Sequence, residues 1–203
     1  MNCGGPITVV IGGTELMSSA EPILREFFGS AYRYAKAVVD YGIGSVALAT
    51  VDRSSVGTVI YYGVNVGSIK LCVIYYIAVV EECRGLGIGK VLMSTVEEMC
   101  TDSDAYIATT WFDNEPADRL YRSLGYVGYT WDELRRLIGR RAVDRLLKAT
   151  CGYDDDIAYV KPTTNNDVLA ILRRVVEGGG SDVDRLWRET CLGVWLRIRA
   201  GLR

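Results

Sequence analysis

At 203 residues the chain is long enough for one domain with added elements, and its net charge of −2 creates no global field that would draw nucleic acid. The first Arg or Lys is Arg25 and no long apolar run opens the chain, so no secretory signal peptide is expected. The longest apolar run is about half of what a membrane-spanning helix needs, and a soluble cytoplasmic protein is the expectation.

Residues 7–11 are a short β-branched run ending at Gly12-Gly13, which predicts a first strand. Ser18 or Ser19 offers a cap for the next segment, where Ile23, Leu24, Phe27, Phe28, Ala31, Ala35, Val38 and Val39 recur at helical spacing and Gly29 offers a break into two helices. Residues 46–51 and 58–64 predict two strands joined by a turn over 52–57. Gly67-Ser68 then leads into residues 71–80, an unbroken apolar run rich in β-branched and aromatic side chains, the signature of a central strand buried on both faces.

Residues 84–90 read Arg-Gly-Leu-Gly-Ile-Gly-Lys, and Ile88, Val91, Leu92, Val96 and Met99 follow at helical spacing. The order is strand, glycine-rich turn, helix. Such a turn leaves backbone N–H groups unpaired where the helix macrodipole adds roughly +0.5 charge, and phosphates bind well there. Glycines at 85, 87 and 89 remove the Cβ atoms that would block the approach. A Walker A loop would need Gly at 84 and Ser or Thr at 91, where Arg84 and Val91 stand; a dinucleotide fingerprint counted from Gly85 would need Gly at Lys90. What fits is Arg-x-x-Gly-x-Gly.

Residues 106–112 predict another strand, followed over 114–126 by Asn-Glu-Pro-Ala-Asp-Arg-Leu-Tyr-Arg-Ser-Leu-Gly-Tyr. Asn114 sits where a helix N-cap belongs, Pro116 in the first turn and Gly125 at the terminating position. Asn114 and Tyr121 are seven residues apart and so lie on nearly one helix face.

These two segments, in this order and separated by one helix and one strand, resemble the cofactor motifs of the GNAT N-acetyltransferase superfamily. The resemblance implies an α/β (α+β) fold, with a mixed central sheet of about seven strands flanked by helices. It also implies acetyl-CoA as co-substrate, with no metal. The loop amides from Arg84, Gly85, Leu86, Gly87, Ile88, Gly89 and Lys90 would hold its pyrophosphate. Ile77, Ala78 and Val79 would pair with the pantetheine arm and supply an N–H for the thioester carbonyl. Asn114, Ala117 and Tyr121 would complete the cofactor side, with Tyr121 meeting the departing sulfur. A phenol near pKa 10 protonating a thiolate near 8.5 is uphill by about 2 kcal/mol, so Tyr121 is read mainly as a hydrogen-bond donor.

Past Gly125, residues 126–131 predict a sixth strand. Residues 132–148 are helical in pattern: Leu134, Leu137, Ile138, Val143, Leu146 and Leu147 are apolar, Arg135, Arg136, Arg140, Arg141 and Arg145 polar, and Gly139 offers a split. Residues 157–161 supply a last strand, so a basic helical insertion over 132–150 interrupts the hairpin that in this family borders the acceptor site. The domain is expected over 1–162. From 163 to 203 two amphipathic patterns form a C-terminal extension, packed on the domain or mediating a homodimer. Thr164 or Asn165 would cap the first, which ends at Gly178-Gly-Gly180. Ser181 and Asp184 suit a capping box for the second, whose Val183, Trp187, Cys191, Val194 and Ile198 form one stripe. Its two tryptophans call for burial.

Cys3, Cys72, Cys83, Cys100, Cys151 and Cys191 lack metal-knuckle spacing and histidine is absent, so buried free thiols are expected. Arg outnumbers Lys and Gln is absent, which points to a thermophilic source, where intracellular disulfides do occur.

The general base is harder to place. The family often carries Glu on the central strand where Val73 stands here. Tyr75, two residues on, and Glu81 and Glu82 after the strand are the remaining candidates, against the plainer readings of core aromatic and solvated loop charges. A site without a strong base suits an amine of low pKa: at pH 7 a lysine amine is neutral about once in 2,500 molecules, an α-amine once in roughly five to ten. The expected function is transfer of an acetyl group from acetyl-CoA to an amine, with a peptide or protein N-terminal α-amine favoured. Alternatives are an acetyl-CoA-binding module or sensor without transfer, and a small-molecule acetyltransferase acting on a polyamine or aminoglycoside-like cation drawn by Asp154, Asp155 and Asp156. Neither a membrane nor a nucleic-acid partner is expected.

Overall fold

The computed structural model describes residues 3–178 and 181–201, the side chain of Ser181 excepted. Seven strands form one mixed sheet: β1 (Ile7–Gly12), β2 (Ser45–Val51), β3 (Ser54–Val66), β4 (Ile69–Val79), β5 (Ala105–Thr110), β6 (Val127–Thr130) and β7 (Ile157–Pro162), in the order β1-β2-β3-β4-β5-β7-β6. Among the helices are α1 (Thr14–Phe28), α2 (Tyr32–Asp40), α3 (Ile88–Met99), α4 (Glu115–Ser123), α5 (Trp131–Ile138), α6 (Arg140–Thr150), α7 (Val168–Arg173), α8 (Ser181–Leu186) and α9 (Gly193–Arg199). β4 is the fourth of the seven strands, as its apolar run predicts. Among the described residues no helix is long and apolar enough to cross a membrane. The chain divides into two compact units, one of Met1–Tyr62, Ile74–Cys100 and Val194–Arg203, the other of Gly63–Val73 and Thr101–Gly193.

In the first unit β1 pairs antiparallel with β2 from Ile7↔Val51 to Gly12↔Val46, and β2 pairs antiparallel with β3. Their turn is Asp52-Arg53 alone, both at positive φ (49° and 65°), and not the six-residue loop expected. A two-residue turn of that hand matches the twist of a hairpin, so β3 starts at Ser54. Gly57 is therefore not a turn residue: a Cβ there would lie 3.1 Å from the Ala78 carbonyl oxygen, and the glycine permits close approach of two backbones. α1 begins at Thr14, before the expected Ser18 or Ser19 cap, because the Glu15 carboxylate accepts the Gly13 amide at 2.8 Å and orders the first turn. It is separated from α2 by a 3₁₀ turn at Gly29–Ala31, the break expected at Gly29. α3 packs on β1 and β2, and its Leu92, Met93 and Val96 are fully buried, each stabilising by about 1.5–3 kcal/mol.

In the second unit β7 pairs antiparallel with β5 (Ala105↔Pro162 to Thr110↔Ile157) and with β6 (Val127↔Val160 to Thr130↔Ile157). β5 ends at Thr110, two residues early, because β7 begins at Ile157 and Asp156 takes over: its amide donates to the Thr110 carbonyl at 3.1 Å and its carboxylate accepts the Phe112 amide at 3.1 Å. Trp111 and Phe112 are left exposed. Trp131, read as the end of β6, opens α5, since Thr130 and Glu133 form a capping box around it. The helical insertion splits at Gly139, with Leu134, Val143 and Leu146 buried and Arg135, Arg136, Arg140 and Arg141 outward. The cap of α7 is Asp167, not Thr164 or Asn165; its carboxylate accepts the Ala170 amide at 3.1 Å. Arg174 just beyond donates to the Ser68 carbonyl at 3.0 Å, tying the extension to the β3–β4 turn. Gly179, Gly180 and the Ser181 half of the expected capping box lie outside the described residues.

The last pattern is not one helix. A π-helical turn at Trp187–Leu192 separates α8 from α9 and interrupts the expected stripe, although Val183, Cys191 and Val194 are buried. Trp187 is half-buried with Lys148 5.4 Å from its ring, whereas Trp195 is 43% exposed. The free-thiol expectation fails: no cysteine is free, and Cys3–Cys83 and Cys151–Cys191 are bridged within the first and second unit respectively. Their partners are 80 and 40 residues apart in sequence but have Cα atoms 5.4 and 5.7 Å apart, a proximity that spacing along the chain cannot show.

Candidate active site

The first unit carries the glycine-rich turn. β4 ends at Val79, a 3₁₀ turn at Glu81–Cys83 follows, and α3 begins at Ile88 with Gly87 as its N-cap residue. No side chain caps α3, so its first-turn amides keep their donor capacity and the positive end of its dipole is open. Gly85 (φ 76°) and Gly87 (φ 82°) both hold left-handed backbone with no atom within 4 Å of where a Cβ would stand. The glycines are there for conformation, and open space lies where their side chains would stand. Arg84 is fixed at the start of the turn: its Nε donates to the Val79 carbonyl at 3.2 Å, and its guanidinium lies 4.8 Å from the Phe27 ring centroid. Leu86 and Lys90 face solvent and Ile88 anchors the turn in the core. The Cys3–Cys83 bridge fastens the residue next to Arg84 to the segment before β1.

Of the residues at the end of β4, Ala78 is buried and Ile77 and Val79 half-buried. Tyr75 is half-buried in an edge-to-face aromatic row, 5.4 Å from Tyr62 and 4.8 Å from Tyr76 between ring centroids. Glu81 and Glu82 are exposed in the 3₁₀ turn.

The second unit carries the other motif. Asn114 is the N-cap of α4, with Pro116 in the first turn: its Oδ1 accepts the Ala117 amide at 3.3 Å and its Nδ2 donates to Thr110 Oγ1 at 2.9 Å. Asn114 and Ala117 thus serve each other and set the pitch of α4 against the end of β5. Tyr121, one face along, is 3% exposed; its ring centroid lies 5.0 Å from that of Tyr159 and 5.7 Å from that of Tyr126. Burial holds its phenol well above the ordinary value, and the charges of Asp155 and Tyr159 add to the effect. Tyr159, whose hydroxyl donates to Asp118, is pushed up to about 12, first by burial and then by that bond.

One titratable group here was not singled out from the sequence. In the Asp154-Asp155-Asp156 turn, Asp155 is half-buried, and its Oδ2 accepts from Thr109 Oγ1 on β5 at 2.5 Å. Desolvation raises its pKa, with Asp154 and Asp156 adding to the rise while the Thr109 bond opposes it. Nothing local in an Asp-Asp-Asp run marks the middle member; the β5–β7 register, which puts the turn over Thr109, does. Among the described residues there is no cluster of three or more His, Cys, Asp or Glu fit to hold a metal ion.

A mixed seven-stranded sheet, with a glycine turn and an uncapped helix directly after its central strand, is a GNAT-like fold. Residues 43–126 match the model of the acetyltransferase (GNAT) family. No curated protein sequence matches the chain. Among solved structures it is similar to a GNAT-family acetyltransferase from Staphylococcus aureus, at 15% identity and a TM-score of 0.58 over 78% of this chain and 100% of that one. It is similar to the ribosomal-protein-S18-alanine N-acetyltransferase of Escherichia coli, at 14% identity and a TM-score of 0.55 over 80% and 97%. It is also similar to Arabidopsis thaliana Naa50 in complex with the bisubstrate analogue CoA-Ac-MVNAL, at 17% identity and a TM-score of 0.52 over 75% and 97%. At these identities the likeness is one of fold.

Proposed function

We propose that the protein is an acetyl-CoA-dependent N-acetyltransferase acting on a peptide or protein N-terminal α-amine. The observation that carries the reading is the turn between Arg84 and Lys90, with two left-handed glycines, no side-chain cap on α3 and open space where side chains would stand. Such a cradle takes a diphosphate through backbone amides. In this reading the loop holds the pyrophosphate of the coenzyme and residues 77–79 pair with its pantetheine arm. The amine nitrogen attacks the thioester carbon, the C–S bond breaks, and Tyr121 donates a hydrogen bond to the departing sulfur. A buried phenol whose pKa is raised is a poor proton donor to a thiolate but a sound hydrogen-bond donor, which fits that division of labour. Asn114 and Ala117 contribute by holding α4, and Tyr121 with it.

The α-amine is favoured by its low pKa and by two of the structural neighbours, whose names describe an S18-alanine N-acetyltransferase and a complex with a bisubstrate analogue, CoA-Ac-MVNAL. A second reading, an acetyl-CoA-binding module without transfer, draws on the placement of Tyr75 in an aromatic row and of Glu81 in solvent. Thiol release from acetyl-CoA in the presence of an alanine-initiated peptide separates the two. Peptide-dependent release is expected; tight coenzyme binding with no release on any amine would support the module instead.

A further inference from the structure

Within the first unit, α2 and α9 line a cavity of about 550 Å³, in the size range of small-molecule pockets. Ala37 and Val194, both buried, are its apolar lining. Its cations are Arg33 and Lys36 from α2 and Arg197 from α9, and its single carboxylate is Asp40. Three cations against one carboxylate give the lining a net charge of +2, in a chain whose total is −2. Arg33 and Lys36 stand three residues apart and so neighbour each other on one helix face, where like charges destabilise. Asp40 offsets only Lys36, whose Nζ donates to its two carboxylate oxygens at 2.8 and 2.6 Å. Arg197 lies three residues after the buried Val194 and therefore on the same side of α9. Among the described residues its side chain makes no ion pair or hydrogen bond. Two tyrosines complete the cavity. Tyr32 is engaged, since the Arg25 guanidinium lies 4.5 Å from its ring centroid and donates to its hydroxyl at 2.7 Å. Tyr41, just past the end of α2, is 52% exposed and offers an open ring.

We propose that the cavity between α2 and α9 is a binding site for a small phosphate monoester carrying a planar ring, the chemistry a mononucleotide presents. A phosphate monoester bears about −1.5 to −2 charge at pH 7 and so matches the net charge of the lining. The planar guanidinium groups of Arg33 and Arg197 suit the paired oxygens of a phosphate, and Lys36 adds a point charge. The ring packs on Tyr41, with Ala37 and Val194 as apolar surroundings. An uncharged ligand would leave the cations unanswered, and a folded partner is too large for the volume. α2, Tyr41 and α9 all lie outside residues 43–126, so the match to the family model does not account for the cavity. None of the lining residues belongs to the Arg84–Lys90 turn, and the proposal does not rest on the transferase reading.

The test is isothermal titration calorimetry of the full chain with AMP, phenyl phosphate, inorganic phosphate, adenosine and a hexaglutamate peptide, each repeated with saturating coenzyme A to fill the Arg84–Lys90 turn. AMP and phenyl phosphate are expected to bind, with affinities that coenzyme A leaves unchanged, and inorganic phosphate and adenosine to bind at least about 10-fold more weakly. AMP binding more tightly than phenyl phosphate identifies a nucleotide as the source of the ligand; equal affinities identify an aryl phosphate. Arg197→Ala is expected to weaken AMP about 10-fold or more, and Arg197→Lys to weaken it less. Tyr41→Ala is expected to weaken AMP and phenyl phosphate while leaving inorganic phosphate unchanged, a split that a general loss of structure does not produce. Thermal unfolding near the wild-type Tm serves as the control for folding. The proposal is overturned if neither AMP nor phenyl phosphate binds at millimolar concentration, if Arg197→Ala leaves their affinity unaltered, or if coenzyme A displaces them. Inorganic phosphate binding as tightly as AMP, or hexaglutamate binding more tightly, overturns the ligand class.

Discussion

Replacing Gly87 by alanine puts one methyl group into the proposed phosphate cradle at a position where the structure separates conformational from steric cost. Gly87 sits at φ 82°, ψ −1°, and a Cβ there meets nothing within 4 Å, so the penalty is that of holding an L-residue in left-handed backbone, about 1–2 kcal/mol. The free loop can escape that strain by relaxing to negative φ, which turns its amides away from the diphosphate; binding must then restore the strained form. The same 1–2 kcal/mol therefore appears as a rise of about 5- to 30-fold in the Kd for coenzyme A. Gly42 provides the control. It lies between α2 and β2 at φ 67°, again with nothing within 4 Å of a Cβ, and has no part in the proposed site. Gly42→Ala is expected to lower Tm by about 2–8 °C with no change in coenzyme affinity. Isothermal titration calorimetry and thermal unfolding of the two variants make the comparison. A Gly87→Ala protein that binds coenzyme A within twofold of wild type, while Gly42→Ala shows its loss of Tm, refutes the assignment of the loop.

Tyr121→Phe removes one hydrogen bond to a developing thiolate, worth about 1.5–3 kcal/mol, so kcat is expected to fall about 10- to 100-fold with coenzyme affinity nearly unchanged; an unaltered kcat in stopped-flow or steady-state assays removes Tyr121 from the chemistry. The Cys151–Cys191 bridge closes a loop of 40 residues, for which the chain-entropy estimate is about 4 kcal/mol, and the double serine variant is expected to unfold about 8–16 °C lower. A Tm within 2 °C of wild type would show that the bridge contributes little to the fold. Asp155 has its folded-state pKa above the unfolded value, so protonation favours the native state and stability is lost as pH rises from the unfolded pKa through the folded one. Asp155→Asn is therefore expected to be more stable than wild type at pH 7, with the difference vanishing below about pH 3.8, the ordinary carboxyl value; urea unfolding at both pH values checks the sign.

The fold was largely legible because its strongest signals are periodic and local. The apolar run of β4, the glycine turn and the α4 motif each depend on residues that neighbour one another in sequence, and the structure places all three where their patterns indicate. The boundaries that moved were decided by partners elsewhere in the chain. β3 runs back to Ser54 because Gly57 serves a close approach to Ala78 rather than a turn, and β5 stops at Thr110 because β7 begins at Ile157. Caps shifted for a related reason: Glu15 and Asp167 outcompeted the serines, threonine and asparagine that propensity alone favours. The cysteine bridges and Asp155 were illegible on the same ground. A disulfide is a statement about two distant Cα atoms, and what distinguishes Asp155 from Asp154 and Asp156 is the strand pairing that lowers it onto Thr109.

The most direct measurement is the fate of the acetyl group when the protein, acetyl-CoA and an alanine-initiated peptide are combined and both free thiol and peptide are quantified by mass spectrometry. Thiol released in a one-to-one ratio with peptide carrying acetyl on its α-nitrogen is the expected result. Coenzyme A that gives no heat on titration, together with peptide recovered unmodified, would contradict the assignment at its root.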